Sequence, residues 1–135
     1  MIIDARDAIV GRLSSYAAKQ LMNGESINII NADRAIITGD PVAIEGKFKE
    51  RRERGSPQHG PFYPKSPDMI LRRTIRGMLP YKQPKGRNAF RKLRVYSGAP
   101  EDVKGDKMMF AEKQKPIECR FIRLGDLSKK IGWRG

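Results

Sequence analysis

The chain has 135 residues, with 28 Lys and Arg against 15 Asp and Glu, a net charge of +13 and a pI of about 10.2. Its one cysteine, Cys119, allows no internal disulfide and no cysteine-built zinc site, and no apolar run approaches the roughly 20 residues that cross a bilayer. With 39% hydrophobic residues and no signal-peptide pattern at Met1-Ile2-Ile3-Asp4, the expectation is one foldable cytoplasmic domain, residues 1–135, whose charge calls for a polyanionic partner.

The charge is unevenly placed. Residues 1–45 carry four basic and six acidic groups, residues 46–98 fifteen and three, and residues 99–135 nine and six. The excess therefore sits in one central block, where a generally basic surface would have spread it. This divides the domain into a scaffold start, a basic block and a C-terminal segment.

Met1-Ile2-Ile3 opens as a short apolar strand. A helix follows from about Gly11 to Met22, with Leu13, Ala17, Ala18, Leu21 and Met22 on one side and Ser15 and Lys19 opposite. Asn23-Gly24 stops it, because both residues tolerate a left-handed backbone. Ile27–Ile30 and Ala35–Thr38 read as strands. Asp40 caps a second helix that starts at Pro41, a residue suited to the first helical position. Strand, helix, strand is the pattern of an α/β unit with a parallel sheet.

The second helix runs into Lys47-Phe48-Lys49-Glu50-Arg51-Arg52-Glu53-Arg54, where Lys49–Glu53 and Glu50–Arg54 have i, i+4 spacing. Gly55 to Pro67 holds four prolines and two glycines and reads as an extended functional loop. Pro67 and Asp68 open a helix to Leu79 with two unlike faces. Ile70, Leu71, Thr74, Ile75, Met78 and Leu79 share one half, and Arg72, Arg73 and Arg76 share a sector of the other. A basic turn with Lys82 and Lys85 leads to a short helix around Arg87–Leu93 and a strand at Arg94–Tyr96. Residues 98–116 read as irregular. Ile117–Leu124 alternates as a strand, with Cys119 as a small core side chain, and a last short helix spans Asp126–Ile131.

Catalytic patterns fail one by one. Gly39 and Gly46-Lys47 lack the P-loop spacing, and no dinucleotide fingerprint follows a strand. The single histidine, His59, has no adjacent acid to orient it. Asp4, Asp7 and Asp33 have no metal-ligand spacing. No metal, cofactor, membrane or small-molecule substrate is expected. What remains suits RNA. Guanidinium groups bond phosphates bidentately, aromatics stack on splayed bases, and glycine lets a backbone approach closely. For Phe62 and Phe90, stacking and core packing both stay open. On this reading Arg51, Arg52, Arg54, Lys65, Arg72, Arg73, Arg76, Lys82, Lys85 and Arg87 contact phosphates, and His59 and Tyr63 contact bases or sugars.

A set of short motifs, in order, resembles a known family. They are Asp4-Ala5, Gly11-Arg12-Leu13-Ser14-Ser15, Asn31-Ala32-Asp33, Ile37-Thr38-Gly39, Arg76-Gly77-Met78-Leu79-Pro80 and Lys92-Leu93-Arg94-Val95-Tyr96-Ser97-Gly98. Together they look like the family of large-subunit ribosomal protein thirteen. Gly60-Pro61-Phe62-Tyr63 is similar to the loop of archaeal and eukaryotic members. The lack of both a histidine-rich ending and a long C-terminal extension is similar to the archaeal type. The resemblance implies a three-layer α/β/α fold around a four-stranded, mainly parallel sheet. It implies binding to large-subunit rRNA and neighbouring ribosomal proteins, a role in subunit assembly, and no catalysis. At residue level it points to Arg76 with its following turn and to Gly60–Tyr63. Two other classes compete: a small α/β enzyme for a phosphorylated substrate, and a regulatory RNA binder outside the ribosome.

Overall fold

Strand β1 (Ile2–Asp4) is buried at all three residues and becomes a central strand of the sheet. The computed structural model describes residues 1–53 and 64–133, with side chains described for all of these except 51–53. Helix α1 (Val10–Met22) follows and buries Leu13, Ala17 and Leu21, which recur at i, i+4 and i+8. It ends where Gly24 takes φ +96°, a conformation open to glycine without a Cβ penalty. Strand β2 (Ile27–Ile30) then returns parallel to β1, with Ile3 opposite Ile29.

A 3-10 turn at Ala32–Arg34 leads to β3 (Ile36–Thr38) and helix α2 (Pro41–Glu53). Asp40 caps α2 as expected, its Oδ1 accepting the Val42 N–H at 3.3 Å. The remaining elements are α3 (Pro67–Gly77), α4 (Pro84–Phe90), β4 (Leu93–Val95), β5 (Lys107–Met109), a second 3-10 turn, β6 (Phe121–Arg123) and α5 (Leu124–Lys130).

Four strands form one parallel sheet in the order β4-β2-β1-β5. Register and pleat place Leu93, Val95, Ile27, Ile29, Ile3 and Met108 on one face. Tyr16 of α1 covers that face, with its hydroxyl 3.9 Å from Met108 Sδ and its ring 5.5 Å from Phe110. Helix α3 packs on α1 and on β4. Helices layered on this sheet give the expected three-layer α/β/α class.

The structure revises several local expectations. β3 leaves the main sheet and pairs antiparallel with β6, Ile36 opposite Arg123 and Thr38 opposite Phe121. Strand character in residues 117–124 is confined to β6, and Cys119 is exposed instead of buried. β5 arises in the stretch read as irregular, because its neighbour β1 supplies the pairing. Helix α4 starts at Pro84, three residues before Arg87, because Gln83 and Pro84 form its entry. Met78 is 43% exposed and leans on Ser15 of α1 instead of entering the core.

Long-range polar contacts tie the C-terminal third to the start of the chain. Gln114 Nε2 donates to the Asp7 carbonyl at 2.6 Å, and Gln114 Oε1 accepts the Ile9 N–H at 3.0 Å. Arg123 Nη1 donates to Asp7 Oδ1 at 2.7 Å and to the Arg34 carbonyl at 2.9 Å. Asp7 itself holds φ +59°, a rare conformation for a non-glycine residue, and these contacts define its surroundings. Glu45 pairs with Lys49 within α2 at 2.9 Å and links α2 to α5 through Lys130 at 3.7 Å. The hydrogen bond from Lys49 is the main cause that holds its carboxyl below the ordinary carboxylate value. The Lys49–Glu53 and Glu50–Arg54 spacings read from the sequence involve side chains outside the described residues.

Leu71 and Ile75 are fully buried, so Leu71→Ala and Ile75→Ala should each cost about 2–5 kcal/mol in urea unfolding. Lys49→Met should raise the Glu45 pKa toward its ordinary value, read by NMR titration. A carboxylate with a lowered folded pKa stabilises above its unfolded pKa and loses that contribution as pH falls through the folded one. An unmoved titration would discount the Lys49 hydrogen bond as the main cause of the shift.

Candidate nucleic-acid interface

Helix α3 is the base of the basic face. Pro67 occupies its first turn, and Asp68, also there, favours the positive end of the helix dipole. Asp68 Oδ1 also accepts the Ser97 hydroxyl at 3.1 Å, which ties the helix start to the segment after β4. Ile70, Leu71 and Ile75 are buried, and Thr74 turns its hydroxyl back to the Ile70 carbonyl at 2.9 Å. This burial fixes the roll of the helix. Arg72 and Arg76 are consequently exposed, as the helical spacing predicts, whereas Arg73, expected on the same face, is half-buried.

The chain after α3 turns back beside it. Leu79 is buried, Tyr81 N–H donates to the Leu79 carbonyl at 2.7 Å, and Gln83 N–H donates to the Pro80 carbonyl at 2.9 Å. Gly86 of α4 lies so close to the Pro80 carbonyl that an added Cβ would collide with it. That contact seats α4 against the turn and sets Tyr81 and Phe90 beside the arginines.

The rings meet guanidinium groups. The Arg72 guanidinium lies 4.6 Å from the Phe90 ring centre, and that of Arg76 lies 4.1 Å from Tyr81. Tyr81 and Phe90 touch edge to face at 5.7 Å and 84°. The result is a row of four side chains, Arg72–Phe90–Tyr81–Arg76. Stacking uses the flat face of a guanidinium and leaves its in-plane N–H donors available. The sequence left stacking and core packing open for Phe90; here its ring supports Arg72.

Along α3 and the following turn lies an open cleft of about 590 Å³, lined by Arg73, Arg76, Gly77, Pro80, Tyr81 and Lys82 among others. Its lining contains no carboxylate. Arg72, Arg76, Lys82, Lys85 and Arg87 form no ion pair among the described residues. By contrast Arg6, Lys49, Arg120, Arg123 and Lys130 are each within reach of an Asp or Glu. Arg87 reaches only the Lys82 carbonyl, at 3.5 Å. Residues 64–98 contain ten basic groups and one acid, Asp68. The face thus carries concentrated charge that the fold does not neutralise.

The sequence-derived site residues fall into three groups. Arg72, Arg73, Arg76 and Lys82 come together on α3 and its turn, with Lys85 and Arg87 exposed on α4. Lys65 is exposed just before α3. Arg51 and Arg52 lie on the backbone of α2, but their side chains are outside the described residues, as are Arg54, His59, Gly60 and Tyr63. Sequence reasoning missed Tyr81 and Phe90 as supports for arginine, since a ring–guanidinium contact between residues 72 and 90 leaves no local signal. Among the described residues no group of His, Cys, Asp and Glu could hold a metal, and no helix is long and apolar enough to cross a membrane.

A family model described as ribosomal protein L13 matches residues 1–102. The chain is 48% identical to large ribosomal subunit protein uL13 of Thermoplasma acidophilum, with 97% of each chain covered. It is 44% identical to the uL13 of Archaeoglobus fulgidus, over 99% of this chain and 88% of that one. It is 43% identical to the uL13 of Haloarcula marismortui, over 98% and 90%. The family is structural and non-enzymatic. The early motifs, the parallel sheet and these full-length likenesses converge: the chain belongs to the ribosomal protein L13 family and is of its archaeal type.

Proposed function

We propose that the protein is a structural constituent of the large ribosomal subunit in the cytoplasm. It binds large-subunit rRNA through the face built on α3 and α4, contacts neighbouring ribosomal proteins and supports subunit assembly. Residues 46–98 form its RNA side and residues 1–45 begin its scaffold. The observation that carries this reading is the stacked, unpaired arginine pair. Arg72 and Arg76 are held on Phe90 and Tyr81 and form no ion pair with a carboxylate among the described residues. An arginine positioned by a ring loses less side-chain freedom when it meets a phosphate, so its charge-assisted bonds are retained more fully. The family membership supports large-subunit rRNA as that RNA.

Gly77 supports the same reading. It lines the cleft, and a Cβ added there would meet nothing within 4 Å. The fold leaves room for a side chain at this point, so the bare position suits the close approach of an RNA backbone.

Reversal of Arg72, Arg73 and Arg76 to Glu should sharply reduce binding to a large-subunit rRNA transcript and leave the circular dichroism spectrum intact. Binding by the native chain should fall with salt, each neutralised phosphate contributing about −0.7 to −0.9 to the log–log slope. A lost spectrum would make the arginine face structural instead. Gly77→Ala should hold or raise stability by up to about 1 kcal/mol, since alanine favours helix over glycine, and should still weaken RNA binding. In cell extract the protein should co-sediment with large subunits through a high-salt wash; its absence there would favour a regulatory RNA binder outside the ribosome.

A further inference from the structure

A second cleft, of about 380 Å³, lies at the other end of α3, against the edge strand β4. Arg72, Arg91 and Arg94 line it together with Asp68, Leu93 and Tyr96. Arg91 closes α4 and Arg94 sits on β4, and both are exposed. The short link between these elements is fixed: Arg91 N–H donates to the Arg87 carbonyl at 3.2 Å, and Lys92 N–H to the Ala89 carbonyl at 3.1 Å. Buried Ala89 and Leu93 anchor it on either side. Neither Arg91 nor Arg94 forms an ion pair among the described residues. The one carboxylate in the lining, Asp68, already accepts the Ser97 hydroxyl.

We infer that Arg72, Arg91 and Arg94 form a second receiver for RNA phosphate, distinct from the cleft at Arg73, Arg76 and Lys82. Three guanidinium groups around one open cleft match the acceptor-rich, bidentate geometry of a phosphodiester. Arg72 belongs to this cleft and Arg76 to the first, and the two are neighbours one helical turn apart. The edge-to-face contact of Tyr81 with Phe90 joins their supports. One RNA backbone segment running along α3 therefore meets both clefts in succession, with the aromatic pair between them. This inference rests on the RNA reading above.

The test is a salt titration of binding to a transcript of archaeal large-subunit rRNA. The double variant Arg91→Gln, Arg94→Gln should lower the log–log slope by about 1.4–1.8, two phosphate contacts' worth. Arg91→Lys, Arg94→Lys should keep the slope but bind more weakly, because lysine keeps the charge and loses the planar fork. Lys104→Gln, Lys115→Gln removes equal charge from exposed sites that line neither cleft, and should leave the slope unchanged. An unchanged slope in the Arg91, Arg94 glutamine variant, alongside a lowered one in Arg76→Gln, would overturn the second cleft and leave the RNA reading standing. Equal losses in the arginine and lysine pairs would also overturn it, in favour of a diffuse field. Salt-independent binding by the native chain would remove the RNA reading itself. If the double glutamine variant does not fold by circular dichroism, the single variants decide, each expected to lower the slope by about 0.7–0.9.

Discussion

The burial of one side of α3 is the constraint on which the basic face depends. Leu71 and Ile75 have no exposure, and Ile70 and Leu79 little. A helix held by such a stripe cannot roll without exposing several apolar side chains, each worth about 1.5–3 kcal/mol when buried. The direction of Arg72 and Arg76 is thus decided by residues that never meet solvent. The aromatic supports obey the same logic. They reach the arginines because Leu79 is buried, the chain reverses at Pro80 to Gln83, and Gly86 allows α4 to seat against that reversal.

This organisation separates two uses of charge. On the scaffold side, Arg6 pairs with the buried Asp4, Arg123 with Asp7, and Lys130 with Glu45. These cations bind the chain to itself, and the Arg123 and Lys130 pairs join segments distant in sequence. On the α3–α4 face Arg72 and Arg76 rest on rings, and Lys82, Lys85 and Arg87 are exposed with no ion pair among the described residues. A like-charged surface opposes the compact state. Cation–π contacts offset part of that repulsion, at about 0.5–1 kcal/mol each for exposed pairs, without neutralising the charge that RNA requires.

Much of the fold was legible because the decisive signals are local. The helical spacing of Leu13, Ala17 and Leu21, the Asn23-Gly24 stop and the Asp40-Pro41 start each lie within a few residues, and α1, β2 and α2 appear where they point. The two faces of α3 were legible for the same reason. What stayed hidden depends on distant partners. Lys107-Met108-Met109 has no strand pattern of its own and becomes β5 because β1 offers an open edge. Phe121–Arg123 has strand character, but only β3 decides which sheet it joins. Arg91 and Arg94 looked like two more cations in a basic block, and the cleft that singles them out needs α3 and β4 side by side.

The sheet order also bears on how the chain is made. β1 sits between β2 and β5, yet β5 begins only at Lys107, long after β1 in the chain. At about 5–20 residues per second, the first strand waits several seconds for its second neighbour. During that time its outer edge has unpaired backbone groups, the feature that templates unwanted pairing. Closure across more than a hundred residues is also entropically slow. Gln114 and Arg123, which clasp Asp7 just beyond β1, come later still in the chain, so the native sheet is sealed only once both have been made.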